Sequence, residues 1–553
     1  MATPKEGEEL IFVPLGGAGE IGMNLNLYGY GTDARRQWIM VDLGVMFGDD
    51  DTPGIDVIMP DPSFIEERRH QLLGIVLTHA HEDHIGAVAH LWPRLRVPVY
   101  ATPFTAALVR GKLEEQGLLD EVPLKVVPLG GELQLGPFNL EFIDITHSIP
   151  EPNCIAIRTP LGVVLHTGDW KIDPQPVVGR KTDIEALRKL GEEGVLAAVC
   201  DSTNVFVPGR SGSEAEVAAR LEAVLAMCKG RVAVTAFASN VARMQSIIRA
   251  GAKLGRHVAL VGRSMHKIAS AAIETGYLKN LPPFIDEESA ADLPPGKVLY
   301  VCTGSQGEPR AALARIAAGE HHNVHLGPGD TVIFSSRVIP GNEKAIHALH
   351  NDLSERGIEV ISAEDHDVHV SGHPARDELA DMYAWLRPQV AVPVHGETRH
   401  LSEHVRLAKS LQVPEAILAP NGSIVRLAPG PATIVDEAPH GRLMLDGSII
   451  TGRDDTTLKE RRSLSFAGHI AVTVVLDERG RILVDPVVIS AGVPDDAVES
   501  AGDAATDAVD RLSGRRLDDD KLVIEEVRRA VRRAVQDRWG KKPVVHVEVA
   551  RTG

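Results

Sequence analysis

The sequence predicts an α/β protein of several domains, and three observations predict it. Short apolar runs broken by turn residues fill the first 170 positions, a strand–loop–helix rhythm takes over from about residue 231, and strands and helices close the chain. Strands alternating with helices are the pattern of parallel βαβ units in a doubly wound sheet, so a second domain is expected to begin near 231.

The opening strands are read at "LIFVPL" (10–15), "NLNLYGYG" (24–31), "QWIMVDLG" (37–44) and "LLGIVL" (72–77). "CIAIRT" and "VVLHTGDW" are split by Pro160, Leu161 and Gly162, a turn that predicts a hairpin. This half is expected to be an antiparallel or mixed sheet with few helices. Then come "RVAVTAF" before a helix over 241–255, "HVALVG" before 266–278, "KVLYVCTG" before 310–320 and "DTVIFSS" before 343–356. "VAVPVHGE" near 390 precedes an amphipathic helix over 398–411, and residues 428–462 mix Pro, Gly and charge as a linker does. The last 90 or so residues hold "HIAVTVVLD", "RILVDPVVIS" and a final "PVVHVEV". In the helix over 521–538, Val523, Ile524, Val527, Val531, Ala534 and Val535 fall at helical spacing; Arg528, Arg529, Arg532 and Arg533 share the other side, which reads as a solvated face sooner than an RNA contact, with an intersubunit surface as the alternative.

A chain of 553 residues can bury about three or four domain cores. Its 44% hydrophobic and 24% charged residues are globular composition, and no apolar run approaches the length of a membrane span. The start, "MATPKEGEEL", lacks a basic segment followed by an apolar one, so a cytoplasmic protein is expected. Cys154, Cys200, Cys228 and Cys302 stand far apart, which offers neither a disulfide framework nor a zinc ribbon. A net charge of −18 argues, taken alone, against a protein that coats nucleic acid. Bound divalent cations, which the formal charge omits, would add positive charge where a phosphate must sit.

"GAGEIG" at Gly17–Gly22 matches the dinucleotide-binding pattern GxGxxG, with Asp42 twenty residues beyond. That motif requires a helix to open at its last glycine, so that backbone amides meet pyrophosphate. Here "MNLNLYGYG" follows and alternates as a strand, so the glycines are read as shaping a strand-to-strand turn.

The chemistry concentrates in "LTHAHEDHIG" at Leu77–Gly86, three histidines and two acids within six positions after an apolar run. His79 and His81 can aim at one point from an extended loop, while Asp83 and His84 follow as a helix begins. One segment could feed two adjacent metal ions, and imidazole with carboxylate suits zinc, or manganese in a more oxygen-rich site. Further ligands are required, and His147 in "IDITHS", Asp169 in "HTGDW" and His395 in "PVHGE" each follow an apolar run, where a sheet presents side chains at one edge.

"THAHEDHIG", "THS", "HTGDW" and "VHGE", in that order and with Asp42 in "VDLG", resemble the metallo-β-lactamase superfamily. Between Asp169 and His395 lie 226 positions, and this excess coincides with the βα units. It resembles the α/β insertion of the β-CASP nucleases, with "CDSTN" carrying Asp201, "SGHPARDEL" carrying His373 and "PVHGE" carrying His395. Within that group, "GGAGEIGMN", "HTGDWKIDP", "AFASN" and "VHVSGH" are similar to the bacterial ribonuclease J family over nearly the whole chain; Trp170 stands where Phe is expected. The resemblance implies a metallo-β-lactamase αββα sandwich (1–210 and 371–430), an inserted β-CASP α/β domain (211–370), a linker (431–462) and a small C-terminal α/β domain (463–553).

It further implies two Zn2+ and/or Mn2+ ions, one taking His79, His81 and His147, the other Asp83, His84 and His395, with Asp169 bridging. The implied activity is metal-dependent hydrolysis of RNA, from the 5′ end and also internally, in RNA maturation, rRNA processing and decay. His373 would assist the leaving group, Asp83 is counted with the catalytic set, and Asp201 would orient His373. Ser335, His369, Ser371 and the Gly372 amide are candidates for gripping a terminal phosphate, and Phe47 for stacking on a base. Expected partners are RNA, a second or further copies of the chain through the C-terminal domain, and RNA-decay proteins; no membrane is expected. The alternatives keep the metals and change the substrate to DNA or a thioester, or make the chain a non-enzymatic scaffold for RNA or partner enzymes.

Overall fold

The computed structural model describes residues 5–49, 51–339, 341–452 and 456–552. They form two units, Met1–Met46 with Met59–Gly441, and Phe47–Ile58 with Arg442–Gly553.

The first unit is built on two mixed sheets. One has eight strands in the order Thr433–Glu437, Ser423–Ala428, Glu9–Gly16, Leu25–Gly31, Gln37–Val41, Leu72–Val76, Val99–Ala101, Leu124–Val126. The other has seven, Glu132–Leu135, Phe138–Asp144, Asn153–Thr159, Gly162–His166, Val195–Asp201, Val390–Val394, Glu415–Ala416. Strand period two places them face to face: Ile155 and Ile157 share one buried cluster with Phe12, Tyr28 and Val41 of the other sheet. Cys154 and Ala156, which alternate with them, point the opposite way, into a cluster with Leu187 and Leu190 of helix Ile184–Glu193 and Leu379 and Met382 of helix Arg376–Leu386. Helices Val88–Leu95 and Pro103–Glu115 pack together, and the latter packs on Val99–Ala101 and the edge strand Leu124–Val126 of the eight-stranded sheet. The result is an αββα sandwich. The helices were under-read in sequence: Pro103 at the first turn is a start signal, but the helix buries Phe104, Thr105 and Ala106 in succession and shows no clean stripe.

Strand direction then decides where chemistry can sit. Gly162–His166, Val195–Asp201 and Val390–Val394 are parallel neighbours, with His166 opposite Val199 and Asp201 opposite Val394. Gln37–Val41 and Leu72–Val76 are parallel neighbours in the other sheet. Asp42, Thr78, Asp169, Asp201 and His395 therefore all lie at or just past carboxyl ends of parallel strands.

The strand–helix rhythm folds as read, into a five-stranded, all-parallel sheet ordered His257–Val261, Val298–Cys302, Val232–Thr235, Thr331–Phe334, Glu359–Ile361. No helix opens at Gly22; Ala18–Gly19 is instead a short strand pairing with Gly396–Glu397, so the glycine motif is a turn.

In the second unit, Ile482–Ala491, His469–Asp477 and Val544–Thr552 form one sheet covered by helices Asp495–Asp510 and Asp520–Trp539. Ile470, Val472, Val474 and Leu476 alternate into a core with Val523, Val527, Val531 and Val535. Arg528, Arg529, Arg532 and Arg533 face solvent. The stretch 431–462 departs from the linker reading. Thr433–Glu437 extends the eight-stranded sheet, Arg442–Asp446 pairs with Ile449–Gly452 across Gly447 and Ser448, and helix Thr456–Ala467 follows. Apolar alternation around Asp446-Gly447 is a hairpin signal that the surrounding Pro and charge obscured; residues 453–455 of that reading lie outside the described ones.

Candidate metal centre

The seven proposed ligands converge. His79 Nε2, His81 Nδ1, His147 Nε2 and Asp169 Oδ2 form one group, with His81 Nδ1 3.1 Å from His79 and 3.0 Å from His147. Asp83, His84, Asp169 and His395 form the second. Asp169 Oδ2 lies 3.2 Å from His84 Nε2, 3.3 Å from His395 Nε2 and 3.9 Å from both His79 and His147 Nε2, central to both groups. Asp83 Oδ2 sits 3.6 Å from His84 and 3.7 Å from His395. Gly44 makes room for this segment, since a Cβ there would fall 1.7 Å from the Asp83 carbonyl oxygen.

Outer partners decide which ring nitrogen keeps its lone pair. His84 Nδ1 lies 2.7 Å from Asp42 Oδ2, His147 Nδ1 2.5 Å from the Gly372 carbonyl and His395 Nδ1 3.1 Å from Asn24 Oδ1. These oxygens only accept, so each Nδ1 carries the proton and each Nε2 turns a lone pair inward. Thr78 Oγ1 donates to Asp42 Oδ2 and is left to accept from His79 Nδ1 at 3.0 Å, with the same consequence. Asp42 holds its position with φ 64°, and its other oxygen accepts from the Thr78 amide.

Except at His84, the protonation states suit ligation. Burial holds His79 and His147 well below the usual histidine range and His81 at about 4. Burial works against ionised Asp169, but His395, His84 and His373 outweigh it and keep the carboxyl well below its usual range. Burial also opposes charge on His84, yet Asp169, Asp83 and Asp42 raise it well above 6.5, so a cation there competes with a proton. Asp169 Oδ1 is buried without a hydrogen-bond partner, an oxygen that a bound cation would satisfy. Imidazole lone pairs, a central carboxylate and an orphaned oxygen fit a pair of divalent cations.

Beside this cluster, His373 Nδ1 lies 2.8 Å from Asp201 Oδ2, and its ring stacks on His395 at 5.5 Å. Burial disfavours its charged form, but Asp201 and Asp169 prevail and lift it to about 9. Asp201 is fully buried and also accepts from the Thr203 amide.

The remaining sequence candidates divide. Ser371 Oγ accepts from Asn204 and from the His373 amide, so it shapes the loop that carries His373. At Gly372 a Cβ would stand 2.7 Å from His147 Cε1. His369 is largely buried with Nδ1 unpartnered, and burial, with nearby Arg243, lowers it to about 3. Ser335 requires correction as a phosphate donor. It is 1% exposed, and its hydroxyl donates to Val368 O and accepts from Arg243, leaving nothing to offer a ligand. Phe47, 65% exposed, belongs to the second unit. Trp170, fully buried beside Asp169, packs in the helix-covered core. Sequence reasoning missed Asn24, Thr78, Ser239 and Arg243; "AFASN" and "GGAGEIGMN" contained two of them without indicating what they touch.

Fold and site together define a metallo-β-lactamase-type hydrolase with an inserted β-CASP domain. Residues 31–191 match the metallo-beta-lactamase superfamily, 229–353 the ribonuclease J beta-CASP domain, 357–417 the Zn-dependent metallo-hydrolase RNA specificity domain and 456–552 the ribonuclease J C-terminal domain. The chain is 49% identical to ribonuclease J of Sinorhizobium meliloti over 99% of its length and 98% of the relative's. It is 40% identical to that of Mycolicibacterium smegmatis (96% and 95% covered) and 38% to that of Thermus thermophilus (88% and 86%). The chain belongs to the ribonuclease J family. A solved protein of unknown function from Enterococcus faecalis V583 shares the fold alone, at TM-score 0.50 and 16% identity over 79% of this chain and 100% of that one.

Proposed function

We infer that this chain is a metal-dependent ribonuclease that hydrolyses RNA phosphodiester bonds. The observation that carries the reading is the convergence of seven donors around Asp169, with four imidazole lone pairs turned inward by outer partners. His79, His81 and His147 would hold one divalent cation and Asp83, His84 and His395 the other, with Asp169 between them. When bound, two such ions supply a water acidified toward neutral pH and offset negative charge on the phosphoryl oxygens. The three-imidazole position favours zinc and the carboxylate-bearing one also admits manganese.

His373 commits Nδ1 to Asp201, so Nε2 is the nitrogen from which it would deliver a proton to the leaving oxygen. Asp201 holds that ring in place. His373→Ala with both metals still bound and turnover unchanged removes this role. His369, Ser371 and the Gly372 amide remain the proposed grip on a 5′ phosphate, Phe47 a proposed stacking surface, and 5′-to-3′ exonuclease action with internal cleavage the proposed mode. The exposed Leu483, Val484, Val487 and Ile489 on one strand support assembly of copies through the C-terminal domain. Association with RNA-decay proteins is a further proposal. No helix among the described residues is long and apolar enough to cross a membrane, and a cytoplasmic location is proposed.

The test is labelled RNA, DNA and a thioester incubated with the protein, with and without chelator. RNA alone should be cleaved, and only without chelator; thioester hydrolysis or DNA preference overturns the substrate. Comparing 5′-monophosphate with 5′-triphosphate RNA tests polarity, since equal exonuclease rates remove the terminal grip.

A further inference from the structure

The two cation positions are supported from different parts of the chain. Around Asp83, His84 and His395, the orienting groups are Asp42 and Asn24, both from the eight-stranded sheet's edge. Around His79, His81 and His147, two of three rings are held from elsewhere. Ser239 Oγ stands 3.1 Å from His81 Nε2, the nitrogen turned away from the cluster, and the Gly372 carbonyl holds His147. Ser239 lies between strand Val232–Thr235 and helix Val241–Lys253 of the inserted domain, and Gly372 on the segment that leaves that domain's last strand, Glu359–Ile361.

One buried side chain ties these pieces together. Arg243, 0% exposed, sits in the first turn of the helix that Ser239 precedes. Its Nη1 donates to Ser335 O at 2.8 Å, Ser335 Oγ at 2.7 Å and Val368 O at 3.1 Å. Nε and Nη2 both reach Glu214, at 3.0 Å each. The guanidinium thus joins the Ser239 helix, the end of strand Thr331–Phe334 and the segment that runs from Val368 to Gly372. A buried fork with five partners is rigid, because loss of any one leaves an uncompensated charge or carbonyl in the interior.

Resting on the two-cation reading, we propose that the inserted domain sets the affinity of one cation position: Ser239, and Arg243 through the Val368–Gly372 segment, are positioning residues for the His79–His81–His147 position and not for its neighbour. Partners behind a ligating imidazole fix its tautomer and aim, and their loss costs about 10- to 100-fold in metal affinity. By reciprocity, a cation in that position holds the inserted domain in its seat.

The experiment titrates the metal-stripped full chain with Zn2+ and follows binding by calorimetry. The unsubstituted chain should show two classes of one ion each. Ser239→Ala should weaken one class about 10- to 100-fold and leave the other in place, Arg243→Lys should weaken that same class, and Asn24→Ala should weaken the other. Equal weakening of both classes by Ser239→Ala, no weakening, or the same class affected by Ser239→Ala and Asn24→Ala overturns the inference while the two-cation reading stands. Fewer than two ions on the unsubstituted chain overturns both. Ser239 is partly exposed, so its alanine variant decides alone if Arg243→Lys does not fold.

Discussion

The sheet edge around Asp169 and the C-terminal sheet bury side chains by opposite rules. In the first, Asp42, His79, His84 and Asp169 are each at most 2% exposed, and the centre around them rests on hydrogen bonds among segments at 24, 42, 78–84, 147, 239, 372 and 395. In the second, Val523, Val527, Val531 and Val535 meet Ile470, Val472, Val474 and Leu476, all apolar, while charge stays in water. Burial of apolar surface is non-directional and tolerant, whereas a buried polar group depends on one partner at one distance. Substitutions should therefore act sharply and on chemistry in the first region, and gradually and on stability in the second.

The largest effect is expected from Asp169→Asn, which keeps the shape but removes the charge central to both cation groups. RNA cleavage should fall about 10^3-fold or more, with metal content below two ions per chain by elemental analysis; near-normal turnover breaks the contrast. Next is acid stability. Burial alone would raise Glu214, but Arg243 dominates and brings it from 4.5 to about 2, so the ion pair stabilises the fold fully above pH 4.5. That contribution, about 3 kcal/mol, should fade as pH falls from 4.5 through 2. Chemical denaturation across this window should lose the corresponding slope in Glu214→Gln.

Val531→Ala removes two buried carbons and should cost about 2 kcal/mol in the C-terminal unit, seen as earlier unfolding with metal content unchanged. Coupled metal loss would show that the two regions are not independent. The smallest effect is expected at Arg533, whose side chain is 84% exposed and 3.9 Å from Asp537. Arg533→Ala should change stability by no more than about 0.5 kcal/mol, and unchanged RNA affinity at varied salt would sharpen the solvated-face reading.

The candidate ligands were legible because their signal is local. HxHxDH packs donors into six positions, and His147, Asp169 and His395 each close an apolar run, a pattern that survives without knowledge of pairing. The alternation that separates Ile155 from Cys154 was legible for the same reason. Asn24, Ser239 and Arg243 were not, since each is an ordinary polar residue whose meaning lies in one contact across tens or hundreds of positions. Ser335 shows the converse error: a hydroxyl after a strand resembles a ligand donor until its two partners are seen.

The amino-acid order by itself determined most of the strands, the strand–helix rhythm of the inserted domain, which donors exist and that divalent-cation binding is the chemistry they suit, because periodicity and donor type are properties of neighbours along the chain. Tertiary structure alone decided which nitrogen of each imidazole faces inward and which domain steadies it. A lone pair's direction is set by a partner oxygen within about 3 Å, and no local pattern specifies what folding will bring that close.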